Sequence, residues 1–298
     1  MTREEGAASG AEQGIRKGSM PSMDTVALRI SAEIAARDGA VEALAGFRLP
    51  NLAVSEKSDK HDLVTEYDSR SEETIRRVLL ERHPGSAVLG EEGGAIGAEN
   101  ARLVWHVDPI DGTAAYATGL ALWCICIGAE VDGEIVAGVV YDPVAEQMFS
   151  ADEGGAWLNG TQELHARGRT EPGCATVISH FPWPRDLVWA PDEAMQQFRQ
   201  MTEDFATVRC LGSGAMGMCY LAAGWADAVL NLGANSWDVA AGAFILRRAG
   251  GEYRAYANGE LVDPRRDHYC GNYVGTVAGA RFPALDELVQ FQSGRDEL

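Results

Sequence analysis

The chain has 298 residues, which at roughly 100–200 residues per domain predicts about two compact domains with enough apolar material for a sizeable core. Lys and Arg number 25 against 44 Asp and Glu, a formal charge of −19, so the basic footprint of a dedicated nucleic-acid binder is missing. Hydrophobic residues make up 46% and charged residues 23%, ordinary globular usage that excludes wholesale disorder.

Residues 1–21 are rich in Gly, Ala, Glu and Ser and read as a mobile tail. From Ser22, Val26, Ile30, Ile34, Val41 and Leu44 recur at near-helical spacing up to Phe47, predicting one long amphipathic helix. A second helix is expected to start near Asp68, bury Ile75, Val78 and Leu79, and stop at Pro84-Gly85. Strand-like runs follow at Leu103–Val107, Leu122–Ala129, Ile135–Tyr141, Gln147–Ser150 and Ala156–Leu158. The turn signals Asp132-Gly133, Asp142-Pro143, Gly154-Gly155 and Asn159-Gly160 separate the later ones. Consecutive strands with short links imply an antiparallel meander covered on one face by the two helices.

A loop-like stretch at Gly168–Gly173 is the expected domain boundary, giving 22–170 as an N-terminal α+β half and 171–298 as a C-terminal α/β half. In the latter, strands Thr176–Ser179, Thr207–Leu211 and Ala226–Leu230 alternate with helices Pro191–Phe205, Ala215–Ala223 and Trp237–Ala249, the last ended by Gly250-Gly251. The most apolar stretch, Leu120 to Ala129, is half the ~20 residues a membrane span needs. The first residues lack an apolar signal core, and a cytoplasmic location is expected. Six cysteines (Cys124, Cys126, Cys174, Cys210, Cys219, Cys270) show no zinc spacing and read as reduced core thiols.

Acids concentrate in four segments: Asp62-Leu63-Val64-Thr65-Glu66-Tyr67-Asp68, Gly90-Glu91-Glu92-Gly93, Asp108-Pro109-Ile110-Asp111-Gly112-Thr113 and Trp237-Asp238. In the third, a strand ending at Val107 delivers Asp108, and Pro109 forbids further ladder pairing. Asp111 follows, and Gly112-Thr113 looks like the start of a helix whose free N–H groups favour an anion. Two carboxylates and a backbone carbonyl make a hard oxygen environment suited to Mg2+. Alone, this segment reads equally as a capped turn. Glu91-Glu92 alone reads as a solvated acidic turn, and Asp238 alone as the dipole partner of its helix.

Taken together, and in this order and spacing from about residue 22 to the end, the four segments resemble the inositol monophosphatase family. That family belongs to the lithium-sensitive, magnesium-dependent phosphatases, with fructose-bisphosphatases and 3′-phosphonucleotidases. Its strand–turn motif is matched by Asp108-Pro109-Ile110-Asp111-Gly112-Thr113, its upstream acidic motif by Gly90-Glu91-Glu92, and its C-terminal motif by Trp237-Asp238-Val239-Ala240-Ala241-Gly242 leading to Ala249-Gly250-Gly251.

The resemblance implies a layered αβαβα sandwich of the sugar-phosphatase type with a site between its halves, most metal ligands coming from the first half. Glu91, Asp108 and the Ile110 carbonyl would hold one Mg2+, Asp108, Asp111 and Asp238 a second, and Glu91 a third through water. Thr113 with Asp68 would orient and deprotonate the attacking water, and the N–H groups of Gly112 and Thr113 would cradle the phosphate. Ser213, Gly214, Asn231 and Asp238 would face the substrate, with Ser179, His180 and Gly212 as further candidates; Phe181-Pro182-Trp183-Pro184 reads equally as an aromatic wall or as surface packing. The implied activity is Mg2+-dependent hydrolysis of a small phosphate monoester by a homodimer, with inositol-1-phosphate or a related cyclitol or sugar phosphate leading. Histidinol phosphate and a nucleotide or nucleoside phosphate are rivals, and a non-catalytic binding protein is the alternative of another class. Neither nucleic acid nor membrane is an expected partner.

Two departures bear on substrate. Ala114 and Ala115 stand where family members often carry Thr or Lys and then Asn. Asn231 stands where inositol phosphatases usually place a Glu for ring hydroxyls. His61, His83, His106, His165 and His268 show no metal spacing and are expected to be structural or exposed.

Overall fold

The structure, a computed structural model, describes residues 23–57 and 63–294. The expected tail at 1–21, Ser22, His61 and Asp62 lie outside the described residues.

Helix α1 (Thr25–Gly46) is one long helix, capped by Asp24, whose carboxylate accepts from Ala27 N at 3.1 Å. Its buried face is not the one that the spacing of large apolar residues suggests. Val26, Ile30, Val41 and Leu44 are exposed, Val41 at 67%, whereas Leu28, Ala32, Ala35, Ala36, Gly39, Ala40 and Ala43 are buried. Close helix packing is the reason: a Cβ on Gly39 would sit 2.5 Å from Ile75 Cγ1 of the neighbouring helix. Small residues let the two backbones approach, and bulk goes to the outside.

A short antiparallel ribbon, β1 (Val54–Glu56) with β2 (Leu63–Thr65), leads into α2 (Glu66–Arg82). This helix starts two residues ahead of Asp68, because Thr65 caps it and Asp68 closes the capping box. Ile75, Val78 and Leu79 are buried as expected, and the helix ends before Pro84.

The following strands are β3 (Ala87–Gly90), β4 (Gly94–Gly97) and β5 (Leu103–Asp111), then the short helix α3 (Thr113–Thr118). The meander continues as β6 (Cys124–Val131), β7 (Glu134–Asp142), β8 (Gln147–Asp152), β9 (Gly155–Leu158) and β10 (Gln162–Glu163). Together they form an eight-stranded sheet in the order β10-β9-β8-β7-β6-β5-β3-β4. It is antiparallel except between β3 and β5. β5 runs past the expected stop at Val107: pairing with β6 breaks after Asp108 and resumes at Asp111. Pro109 thus occupies a bulge, where its missing N–H leaves no gap in the ladder.

In the second half, β11 (Thr176–Ser179), α4 (Pro184–Trp189), α5 (Pro191–Asp204), β12 (Thr207–Arg209) and α6 (Gly214–Ala222) precede β13 (Ala228–Asn231) and α7 (Ser236–Arg248). Then come β14 (Glu252–Ala257), β15 (Glu260–Leu261), a 3-10 turn at Asp267–Tyr269, β16 (Tyr273–Thr276) and α8 (Pro283–Ser293). The six-stranded sheet β12-β11-β13-β16-β14-β15 is parallel at β12-β11-β13 and antiparallel beyond.

α1 and α2 cover one face of the first sheet, and α6 and α7 lie between the two sheets. α5 and α8 cover the outer face of the second, so the layers read αβαβα. Gly128 and Gly138 admit α7 against the first sheet: a Cβ on Gly138 would lie 2.9 Å from Ala241 O. The six cysteines are free thiols; Cys124, Cys126 and Cys219 are buried, whereas Cys174 and Cys210 are exposed rather than in the core. Among the described residues no helix is long and apolar enough to cross a membrane.

Candidate active site

The parallel pair β3–β5 ends with two acidic segments side by side. Gly90 lies opposite Val107, and Glu91 N donates to Val107 O at 3.1 Å, so Glu91, just past the end of β3, is brought beside Asp108 of β5. The turn after β3 is held from below by Glu72 of α2, which is 1% exposed. Its carboxylate accepts from Glu92 N at 2.7 Å and Gly93 N at 2.9 Å and pairs with Arg76. Above it, Lys57 Nζ reaches Glu91 at 2.9 Å and Glu92 at 2.5 Å.

The β5 bulge orients the other acids. Asp108 Oδ1 accepts from Ile110 N at 2.9 Å, which fixes the side chain against its own strand. Asp111 Oδ2 accepts from Ser213 Oγ at 2.6 Å and from Ala215 N at 3.2 Å at the start of α6. Gly112 turns the chain into α3 with φ of 102°, and a Cβ there would also meet Leu122 O at 2.8 Å. Thr113 Oγ1 then has two acceptors for its single proton, Ile110 O at 3.0 Å and Asp68 Oδ1 at 3.3 Å. The other oxygen of Asp68 is taken by Thr65, from N at 2.8 Å and from Oγ1 at 2.7 Å. Asp238 arrives from α7, where Asn235 N donates to its Oδ2 at 2.6 Å. It therefore does cap its own helix, closing a capping box with Asn235.

Electrostatics tie these acids into one group. Burial, then Glu91, Asp111 and Asp238, push the Asp108 carboxyl well above the ordinary carboxylate range. Burial raises Asp111 to about 6 against the opposing bonds from Ser213 and Ala215, with Glu91 adding to the rise. Burial and then Asp111 raise Asp238 to about 8. Burial also raises Glu92 to about 7, although Lys57 works against it. Two like charges about 4 Å apart cost roughly 4 kcal/mol at an effective dielectric near 20, so the ionised cluster calls for cations. All its donors are hard oxygens, the set that fits Mg2+.

A cavity of about 410 Å3 opens beside Asp111 and Asp238, walled by His180, Trp183, Arg185, Gly214 and Asn231. His180 Nε2 accepts from Gly212 N at 2.9 Å, burial lowers its pKa, and its ring stands edge-on to Trp183 at 6.0 Å. Gly214 is required at the wall, since a Cβ there would lie 2.6 Å from Tyr273 Oη. Ser213 is fully buried, and its hydroxyl is engaged by Asp111 and by Met216 N at 3.0 Å. It meets the site through Asp111, not through the cavity. Ser179 is likewise buried and accepts from Phe181 N.

A profile of the inositol monophosphatase family matches residues 26–288. The chain belongs to that family. It is 36% identical over 207 residues to the Nus factor SuhB of Pseudomonas aeruginosa, covering 68% of this chain and 76% of that protein. To the inositol-1-monophosphatase of Mesorhizobium japonicum it is 33% identical over 201 residues, 67% of this chain and 74% of the other. The crystal-structure relatives share the fold: an IMPase of Thermotoga maritima superposes with a TM-score of 0.74 at 24% identity, covering 90% of this chain and 98% of that one.

Within this family framework Asp108, Asp111 and Asp238 of the expected acids are coupled, Glu91 acts on all three, and Thr113 meets Asp68. Asn231 lines the cavity, with its Oδ1 taken by Leu232 N at 2.9 Å. Sequence reasoning missed Lys57, Glu72 and Arg185. Only Glu72 carried a local signal, its spacing of four from Arg76, and that spacing is common on exposed helix faces.

Proposed function

We propose that the protein is a Mg2+-dependent phosphomonoesterase acting on a small phosphate ester, with a cyclitol or sugar phosphate as the leading class. One observation carries this: Asp108, Asp111 and Asp238, from two separate segments, are desolvated together with Glu91 beside them, and burial and their mutual repulsion push all three above the ordinary carboxylate range. A cluster kept at such electrostatic cost has a use that offsets it, and cation binding is that use. Glu91, Asp108 and the Ile110 carbonyl would hold one Mg2+, Asp108, Asp111 and Asp238 a second, and Glu91 would help to place a third. Bound there, Mg2+ neutralises the ester's phosphate and lowers the pKa of coordinated water.

The chain's own groups do the rest. Asp68 accepts from Thr113, and this pair orients the attacking water and receives its proton. The N–H groups of Gly112 and Thr113 face the phosphate at the start of α3. The wall of His180, Trp183 and Asn231 receives the alcohol part of the ester. Ser213 and Glu72 position Asp111 and the Glu91 turn. No covalent enzyme intermediate is needed for in-line displacement by water. A homodimer and sensitivity to Li+ belong to the same reading.

The relatives' names divide between a monophosphatase and a Nus factor, and the intact acid set is what supports the enzymatic reading over a purely binding one. The test is phosphate release from a panel of cyclitol, sugar, amino-alcohol and nucleoside monophosphates, with and without EDTA. Mg2+-dependent release that Asp108→Asn or Asp238→Asn reduces by roughly 100-fold or more supports it. No release from any ester, with calorimetry finding no Mg2+ binding, overturns it in favour of the binding role.

A further inference from the structure

Behind the acidic centre lies a second cluster that the phosphatase reading leaves unused. His106 of β5, Glu130 of β6 and His268 of the 3-10 turn are all buried. His106 Nε2 and His268 Nε2 each lie 3.0 Å from the same oxygen, Glu130 Oε2. Tyr269 Oη lies 2.5 Å from that oxygen. The two imidazoles stand nearly perpendicular, at 81°, with ring centroids 5.7 Å apart, so that their Nε2 atoms converge while the ring bodies stay apart. One ligand atom from each of His106, Glu130 and His268 falls within 4.8 Å of the other two.

We propose that His106, Glu130 and His268 form a site for one transition-metal ion of the Zn2+ type, distinct from the acidic Mg2+ centre. Two imidazole nitrogens and one carboxylate oxygen are a donor set that Zn2+ uses, with metal–ligand distances near 2.0–2.2 Å. Tetrahedral bonds of that length put ligand atoms roughly 3.3 Å apart, a few tenths of an ångström beyond the 3.0 Å separations here. Mg2+, which prefers oxygen donors, is disfavoured at a site where two of three donors are imidazole.

The surroundings tolerate the exchange of hydrogen bonds for a metal. As the site stands, both imidazoles direct Nε2 at the carboxylate. A neutral imidazole frees that nitrogen by carrying its single proton on Nδ1 instead. For His106, Nδ1 faces Ser236 Oγ at 2.9 Å, and a hydroxyl accepts as readily as it donates. The same contact fixes the ring, the service that an outer hydrogen-bond partner gives to a ligating histidine. Tyr269 is exposed, so its hydroxyl can give up Glu130 Oε2 and turn to water. His268 also lines a cavity of about 370 Å3, whose wall carries Arg247, Arg248 and Arg265 beside Glu134.

The ion would tie the first sheet to the turn before β16. His106 lies two residues ahead of Asp108 on β5, and Ser236 lies two ahead of Asp238 on α7. A filled site thus braces the two elements that carry these acids. The proposal does not rest on the phosphatase reading, since its ligands are not those of the acidic cluster.

The test uses the full chain, stripped with EDTA and dialysed against Zn2+ in a large excess of Mg2+, followed by metal analysis. Expected is one Zn2+ per chain in the wild type and in Asp238→Asn, with affinity reduced roughly 100-fold in Glu130→Gln and in His268→Gln. Co2+ in place of Zn2+ is expected to give visible absorption bands of a nitrogen-ligated, low-coordinate ion in the wild type. The proposal is overturned if the wild type retains no zinc under excess Mg2+. It is equally overturned if retained zinc is lost in Asp238→Asn but kept in folded His268→Gln, which would assign it to the acidic centre. The wild-type and Asp238→Asn arms decide even where a ligand variant fails to fold.

Discussion

Ser213 Oγ donates to Asp111 Oδ2 at 2.6 Å, linking the start of α6 to the end of β5. The bond favours the charged carboxylate against the burial that pushes Asp111 up to about 6. A hydrogen bond to a charged group is worth about 1.5–3 kcal/mol, roughly one to two powers of ten in an equilibrium constant. Ser213→Ala is therefore expected to raise the Mg2+ concentration for half-maximal activity about tenfold and to move the acid limb of activity to higher pH. It also removes the α6 cap at Met216 N, at a cost of about 1 kcal/mol in stability. Unchanged Mg2+ dependence in a folded Ser213→Ala protein would show that Asp111 needs no such support.

Asp111 and Asp238 keep their protons in the folded, metal-free protein up to about pH 6 and pH 8. The unfolded chain releases them near pH 3.9. Between these values the native state binds more protons, so stability falls as pH rises from about 4 through about 8. The rise of Asp111 alone corresponds to a cost on the order of 3 kcal/mol at neutral pH. Metal-free protein is expected to melt lower at pH 8 than at pH 5, and Mg2+ to raise the melting temperature more at pH 8. Asp238→Asn is expected to flatten the fall. Thermal melts across this range check the sign directly.

Thr113 has two acceptors, Ile110 O and Asp68 Oδ1, and an isosteric loss of its hydroxyl breaks both contacts while Thr65 still holds Asp68. Thr113→Val is expected to lower kcat by about 10²–10³ with little change in Mg2+ affinity, and Thr113→Ser to restore much of it. A drop in Mg2+ affinity matching the drop in rate would move Thr113 from proton handling to metal placement.

Glu72 bears on the proposed Mg2+ site through backbone N–H groups of the Glu91 turn. Glu72→Gln retains one acceptor but leaves Arg76 without its buried carboxylate. The expected result is Mg2+ affinity lowered by about 10–100-fold together with a lower melting temperature. Activity at saturating Mg2+ is expected to return to near the wild-type rate, which distinguishes a positioning residue from a ligand.

What was legible in the sequence was mostly local. The acids, Pro109, Gly112 and Thr113 sit within a few residues of the turns that aim them, so their spacing carries their geometry. The bulge was hidden, because Pro109 forbids a ladder bond but does not say whether the strand resumes. Lys57, Glu72 and the His106–Glu130–His268 group were hidden because folding alone brings them together; His268 and Glu130 are 138 residues apart. Nothing after Gly251 was assigned, although β14, β16 and α8 complete the second sheet and its outer cover. Periodicity found α1 but chose its wrong face, since hydropathy weights bulk and close helix packing excludes it.

That last mismatch gives a paired test on one helix. Gly39 faces α2, and a Cβ there would meet Ile75 Cγ1 at 2.5 Å and Cδ1 at 2.7 Å. Gly39→Val forces the helices apart or Ile75 out of its rotamer, an overpacking cost of about 1–3 kcal/mol. Val41, two residues on, is 67% exposed, and Val41→Ser is expected to stay within about 0.5 kcal/mol of the wild type. Denaturant melts of the two variants separate the alternatives. If Val41→Ser is the damaging change and Gly39→Val the mild one, the buried face is the one with large apolar residues after all, and α1 is rotated from the orientation described.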